Sequence, residues 1–171
     1  KSLLRNKLCT SKIEDFTNGS SFHRVLWDDA EKGSSSTELA KDKNIRRVVM
    51  CSGKVYFDLL EERDARGLND IYLLRFEQFY PFPAMSALKE LERFQNAEMV
   101  WCQEEPKNQG AWSFMEPNIE WVLSRMKAKF KRPIYVGRPA SASPATGLAS
   151  QHKEQQKLLV EEALNLKENK K

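Results

Sequence analysis

From residue 46 onward the apolar positions come in short blocks whose period switches repeatedly between that of a strand and that of a helix. RRVVMCSG is a continuous apolar run closed by Gly53, the pattern of a strand buried on both faces. In KVYFDLLEERDARG, Val55 and Leu59 fall four apart, as do Tyr56 and Leu60, and Gly67 supplies a helix stop. DIYLLRF predicts a second strand, and the two prolines of YPFP break the chain after it. AMSALKELERF then sets Met85, Leu88, Leu91 and Phe94 three apart on one helix stripe. EMVWCQEE predicts a third strand and PKNQGA a loop. WSFMEPNIEWVLSRMKAKF carries Phe114, Ile119, Val122, Leu123, Met126 and Phe130 at helical spacing, with Pro117 expected near the first turn. PIYVGR predicts a fourth strand, GRPASASPATG a small-residue loop, and QHKEQQKLLVEEALNLKENKK a last helix with Leu159, Ala163 and Leu166 on one side.

Before residue 46 the pattern is weaker. Residues 1–20 are polar and aperiodic, and SFHRVLW allows a short strand near 22–26. DDAEKGSSSTELAKDKN, at 28–44, has no apolar period and predicts a mobile Ser-rich loop. The division expected is therefore a leading segment over 1–45, an α/β domain over 46–166 and a charged tail over 167–171. Strands alternating with helices specify a mostly parallel sheet covered on both faces, with the early segment adding an edge strand.

Composition narrows the class. A chain of 171 residues with 40% apolar and 30% charged positions suits one globular domain, and folding would hide roughly 70% of its extended surface. No run approaches the roughly 20 apolar residues of a membrane span. The net charge of +4 comes from 28 basic and 24 acidic residues that are interspersed, which argues against a nucleic-acid face. Cys9, Cys51 and Cys102 are odd in number and form no CxxC; two lie in apolar runs, as reduced thiols in a reducing compartment would. A first residue of Lys is what a fragment or a processed product would show.

Chemistry-bearing motifs are mostly missing. His23 and His152 lie far apart with no metal-ligand spacing, and neither GxSxG nor GxGxxG occurs. CSGKVY resembles half of a phosphate loop, but Val48 and Val55 stand where its first glycine and its hydroxyl belong. Glu104 and Glu105 end a strand as catalytic acids often do, yet neighbours on a strand face opposite ways. Ligands of open α/β sheets gather outside the carboxyl ends of parallel strands. There Lys54, Gln103 and Arg138 form a candidate site for a phosphate-bearing effector. The alternative is that Lys54 and Arg138 simply pair with Glu77, Glu104 or Glu105.

Four stretches carry a family resemblance: CSGKVYFDL at 51–59, RFEQFYPFP at 75–83, WCQEEPKNQGAW at 101–112 and YVGRPASASPATG at 135–147. With KSLLR and SFHRVLW before them, they resemble the C-terminal domain of the thiamine-dependent 2-oxoglutarate dehydrogenases. The segment around 33–37 is the least family-like. The resemblance implies a transketolase-type C-terminal domain: an α/β/α sandwich on a five-stranded sheet, mostly parallel, with one antiparallel edge strand. It also implies a parent enzyme that uses thiamine diphosphate and Mg²⁺ to decarboxylate 2-oxoglutarate. The succinyl group would pass to a lipoyl group on the dihydrolipoyl succinyltransferase component, in the tricarboxylic acid cycle. The family's Gly-Asp-Gly cofactor motif is missing from this sequence, so no cofactor ligand carries over and the chain alone is expected to be inactive.

In the family these domains help build a homodimer, which makes Trp112, Phe114 and Trp121 candidate interface residues; ordinary core positions are the alternative. No nucleic acid or membrane partner is expected. The setting expected is a bacterial cytoplasm, with the mitochondrial matrix as alternative. Two other classes compete with an assembly and regulatory domain. One is an independent α/β module for an anionic small molecule or nucleotide, and the other is a free-standing hydrolase.

Overall fold

A computed structural model describes residues 3–165. Its elements run β1 (Val25–Leu26), β2 (Arg47–Cys51), α1 (Val55–Ala65), β3 (Ile71–Phe76), α2 (Ala84–Leu91), β4 (Glu98–Pro106), α3 (Trp112–Arg125), β5 (Ile134–Arg138) and α4 (Ala149–Ala163). The strands form one five-stranded sheet in the order β1-β3-β2-β4-β5. β1 pairs antiparallel with β3, and all other pairs are parallel.

Alternation along the strands divides the core in two. Val49, Cys51, Leu73, Val100, Cys102 and Val136 face α1 and α4. Val48, Met50, Tyr72, Leu74, Met99 and Trp101 face α2 and α3. Both faces are covered, so β2 is buried at every position, as its unbroken apolar run requires. The three-layer α/β/α architecture expected from the sequence is the one observed.

Several expectations shift in detail. The edge strand is two residues long, and Phe22, placed in it, is exposed. Met85 also points outward; Ala87 and Leu91 occupy the buried face of α2. α3 stops at Arg125 instead of running to Phe130, because Met126 is extended. Pro117 stands inside α3 beyond its first turn, where its missing N–H leaves the Ser113 carbonyl without the usual i−4 donor. Leu166 and the tail over 167–171 lie outside the described residues.

Segment 28–44 is irregular but anchored. β1 covers only the Arg75 and Phe76 end of β3. Beyond it, the buried Asp28 carboxylate accepts the Leu73 N–H at 2.7 Å and pairs with the buried Arg63 guanidinium. Ser35 and Thr37 donate to Asp64 of α1 at 2.7 and 2.8 Å. Glu31 and Asp42 both pair with Arg93. The Ser/Thr content of this loop thus provides donors for one carboxylate on α1.

Candidate functional site

The carboxyl ends of β2 and β4 are neighbours, yet the helices that follow them, α1 and α3, leave toward opposite faces of the sheet. This is the topological switch point at which open α/β sheets bind ligands. The candidate residues there divide between two sides.

On the α1/α4 side lies a polar rim. Lys54 Nζ sits 2.6 Å from Asp58 and 3.0 Å from Glu104. Burial pushes the Lys54 pKa down, but the bonds to Asp58 and Glu104 outweigh it and hold the ammonium above its ordinary value. Asp58 also accepts from Gln156 Nε2 at 2.7 Å. Arg138 Nη2 reaches Gln156 Oε1 at 3.0 Å and His152 Nδ1 at 3.2 Å, and Nη1 donates to the Glu104 carbonyl. Its buried Nε has no acceptor among the described residues. Lys54 and Arg138 therefore share one rim through Glu104 and Gln156. Lys54 is neutralised by two carboxylates, whereas Arg138 has no carboxylate partner among the described residues.

Gln103 does not join them. Strand alternation turns it to the α2/α3 side, where it is 4% exposed and engaged at both ends. Its Oε1 accepts from Trp101 Nε1 and from the Trp112 N–H, each at 3.0 Å. Its Nε2 faces the carbonyls of Glu105, Pro106 and Gln109 at 3.2, 3.2 and 2.8 Å. Gln103 ties the strand end to the start of α3 and is no free ligand group, a correction to the three-residue effector site. The alternation that separates Glu104 from Glu105 already separates Gln103 from Lys54, so the signal was present in the strand pattern. Gly137 supports the same junction: a Cβ there would stand 2.7 Å from the Gln103 carbonyl and 2.6 Å from the Tyr135 hydroxyl.

The α2/α3 side holds a pocket of about 400 Å³, lined mainly by Phe79, Tyr80, Trp101 and Phe114, with Glu105 in its wall. Sequence reasoning did not assemble it, because Phe79 and Tyr80 lie in a Pro-broken loop with no period to place them.

The candidate interface residues also separate. Trp112 is 6% exposed, packed against Tyr135 with ring centroids 5.2 Å apart, and belongs to the chain's own core. This corrects its place among the interface candidates. Phe114 and Trp121 are 37% and 43% exposed on the outer side of α3. The Arg125 guanidinium lies 4.2 Å from the Trp121 ring centroid.

Among the described residues no three His, Cys, Asp or Glu side chains converge to hold a metal ion, and the sequence has no Gly-Asp-Gly. No described helix is long and apolar enough to cross a membrane.

The family model described as 2-oxoglutarate dehydrogenase C-terminal matches residues 10–164. Proteins named 2-oxoglutarate dehydrogenase E1 component from Brucella anthropi, Brucella ovis and Brucella abortus are each 59% identical over 165 residues. That is 96% of this chain but 16% of each relative, so the chain spans about one-sixth of the length of the curated relatives it matches. With the α/β/α sheet and its antiparallel edge strand, these matches establish that the chain belongs to the 2-oxoglutarate dehydrogenase C-terminal family.

Proposed function

We propose that this chain works as the assembly domain of a 2-oxoglutarate dehydrogenase E1 component. That enzyme would decarboxylate 2-oxoglutarate with thiamine diphosphate and Mg²⁺ held elsewhere in the protein. It would pass the succinyl group to lipoyl on the dihydrolipoyl succinyltransferase component, within a multienzyme complex of the tricarboxylic acid cycle. The observation that carries the reading is 59% identity to an E1 component across 96% of the chain. Identity at that level joins the chain's history to an E1 component; on this reading the cofactor does the electronic work and other segments of the longer protein position it.

Assembly has a surface to act through. Phe114, Pro117 and Trp121 recur at i, i+3 and i+7 along the outer side of α3, giving this helix a second apolar stripe besides the buried one. Exposed aromatic residues of this kind are enriched in interface cores, and a homodimer of the E1 component is the assembly they would serve. Regulation by an anionic effector would fall to Arg138, with His152 and Gln156 beside it. A bacterial cytoplasm is the compartment this reading favours.

Calorimetric titration of the 171-residue chain with thiamine diphosphate and Mg²⁺ tests the division of labour. No binding heat is expected. Micromolar binding would show a cofactor site in this chain and overturn the reading. A reading frame that begins beside Lys1, with no upstream Gly-Asp-Gly, would favour an independent module instead.

A further inference from the structure

Glu104 and Glu105 differ in their surroundings although they are adjacent. Glu104 is neutralised by Lys54 on the α1/α4 side. Glu105 faces the aromatic pocket, and among the described residues no cation pairs with its carboxylate. Gly110 makes room for it: a Cβ at that residue would lie 3.0 Å from Glu105 Cβ and 3.1 Å from Oε2. With φ at +66°, Gly110 also holds a backbone conformation that other residues resist. The carboxylate therefore rests against bare backbone in the pocket wall.

Four aromatic residues share the wall with it. Phe79 and Trp101 meet edge to face with centroids 6.1 Å apart, and Tyr80 and Phe114 also line the pocket. Aromatic faces carry negative potential and attract cations, most strongly when a carboxylate stands beside them. Gln103 has both ends engaged and offers nothing to an anion. A volume of about 400 Å³ suits a small organic ligand, since such sites run from about 300 to 1,000 Å³. The pocket also lies at the switch point between β2 and β4, through Ser52 on one side and Gln103 on the other.

We propose that this pocket binds a small organic cation: a protonated amine or quaternary ammonium carried on an aromatic or aliphatic group. Its apolar part stacks among Phe79, Trp101 and Phe114, and its charge meets Glu105. The proposal shares Phe114 with the outer stripe of α3 but does not rest on the assembly role.

Phenethylammonium titrated into the 171-residue chain provides the test, read at the indole N–H resonance of Trp101. 2-Phenylethanol and 3-phenylpropanoate serve as the neutral and anionic counterparts. The ammonium probe is expected to bind tightest and the carboxylate weakest. Glu105→Gln should weaken the ammonium about fivefold or more while leaving the alcohol unchanged. Phe114→Ala should weaken both. Unaltered thermal midpoints would show that the variants remain folded. Equal affinity for ammonium and alcohol, indifference to Glu105→Gln, or a Trp101 resonance that does not move would each overturn the proposal.

Discussion

Asp28 and Arg63, 35 positions apart in the chain, are bonded to each other with neither side chain exposed. Asp28 also accepts the Leu73 N–H along the part of β3 that the two-residue β1 leaves uncovered. One carboxylate thereby closes an open strand edge and neutralises a buried guanidinium. Asp28→Ala is expected to destabilise the fold by about 3–5 kcal/mol, because it breaks a fully buried pair and leaves the Arg63 guanidinium with Asp64 alone. A double replacement, Asp28→Ala with Arg63→Met, should cost less than the sum of the two single ones. Denaturant unfolding of the four proteins measures this, and additive losses would contradict the coupling.

Asp64 gives the same loop a dependence on acid. Burial raises its pKa, but the Ser35 and Thr37 hydroxyls and the Arg63 charge outweigh burial and hold it below its ordinary value of 3.8. Folded Asp64 therefore stays ionised where the unfolded chain already takes up a proton. Its contribution is fully present above the unfolded value and is lost as pH falls through the folded one. Thermal midpoints followed from about pH 5 to about pH 3 should fall more steeply for the unsubstituted chain than for Asp64→Asn. Parallel curves would show that Asp64 contributes nothing to acid sensitivity.

The thiols should react in two classes. Cys51 and Cys102 are register partners on β2 and β4, both fully buried, and Cys9 is exposed. Burial pushes the Cys51 thiol up to about 12 and the Cys102 thiol well above its ordinary range. Since only thiolate attacks, both should be inert in the folded protein. A chromogenic disulfide reagent should titrate one thiol rapidly in native protein and all three in denaturant. Rapid reaction of more than one native thiol would contradict the packing.

Most of the fold could be read from the sequence, and its reasons are local. Unbroken apolar runs marked β2 to β4, helical spacing marked α1 and α3, and Pro and Gly marked the breaks. The errors arose where tertiary contacts outweigh period. Met85 sits on the expected stripe of α2 but points outward, because Ala87 and Leu91 fill the space against the sheet. The role of Asp28 had no signal, since its partners Arg63 and Leu73 are distant in sequence and polar segments usually face water. At the site, residue types were legible and company was not. Lys54 and Arg138 do share a rim, but their links run through Asp58, Gln156 and the Glu104 backbone, which no motif announces. The pocket depends on Phe79 and Tyr80, placed by a loop whose path follows from packing against Trp101 and not from any repeat.

α3 allows its two tryptophans to be separated by experiment. Trp112 lies at its first turn, buried against Tyr135, with its N–H bonded to Gln103. Trp121 lies further along on the outer side, with Arg125 over its ring. Truncating a buried aromatic residue removes its transfer energy and leaves a cavity, so Trp112→Ala should cost about 3–5 kcal/mol in the chain alone. Trp121→Ala opens no cavity in the core and should shift stability by about 0.5 kcal/mol or less. Its effect should appear in association instead. Under the proposed assembly role, sedimentation of the parent E1 component carrying Phe114→Ala and Trp121→Ala should show weakened self-association at unchanged stability of this domain. Unchanged association of that variant would overturn the proposed role of the outer stripe of α3. A large loss of stability from Trp121→Ala would instead place that ring in the core of the domain.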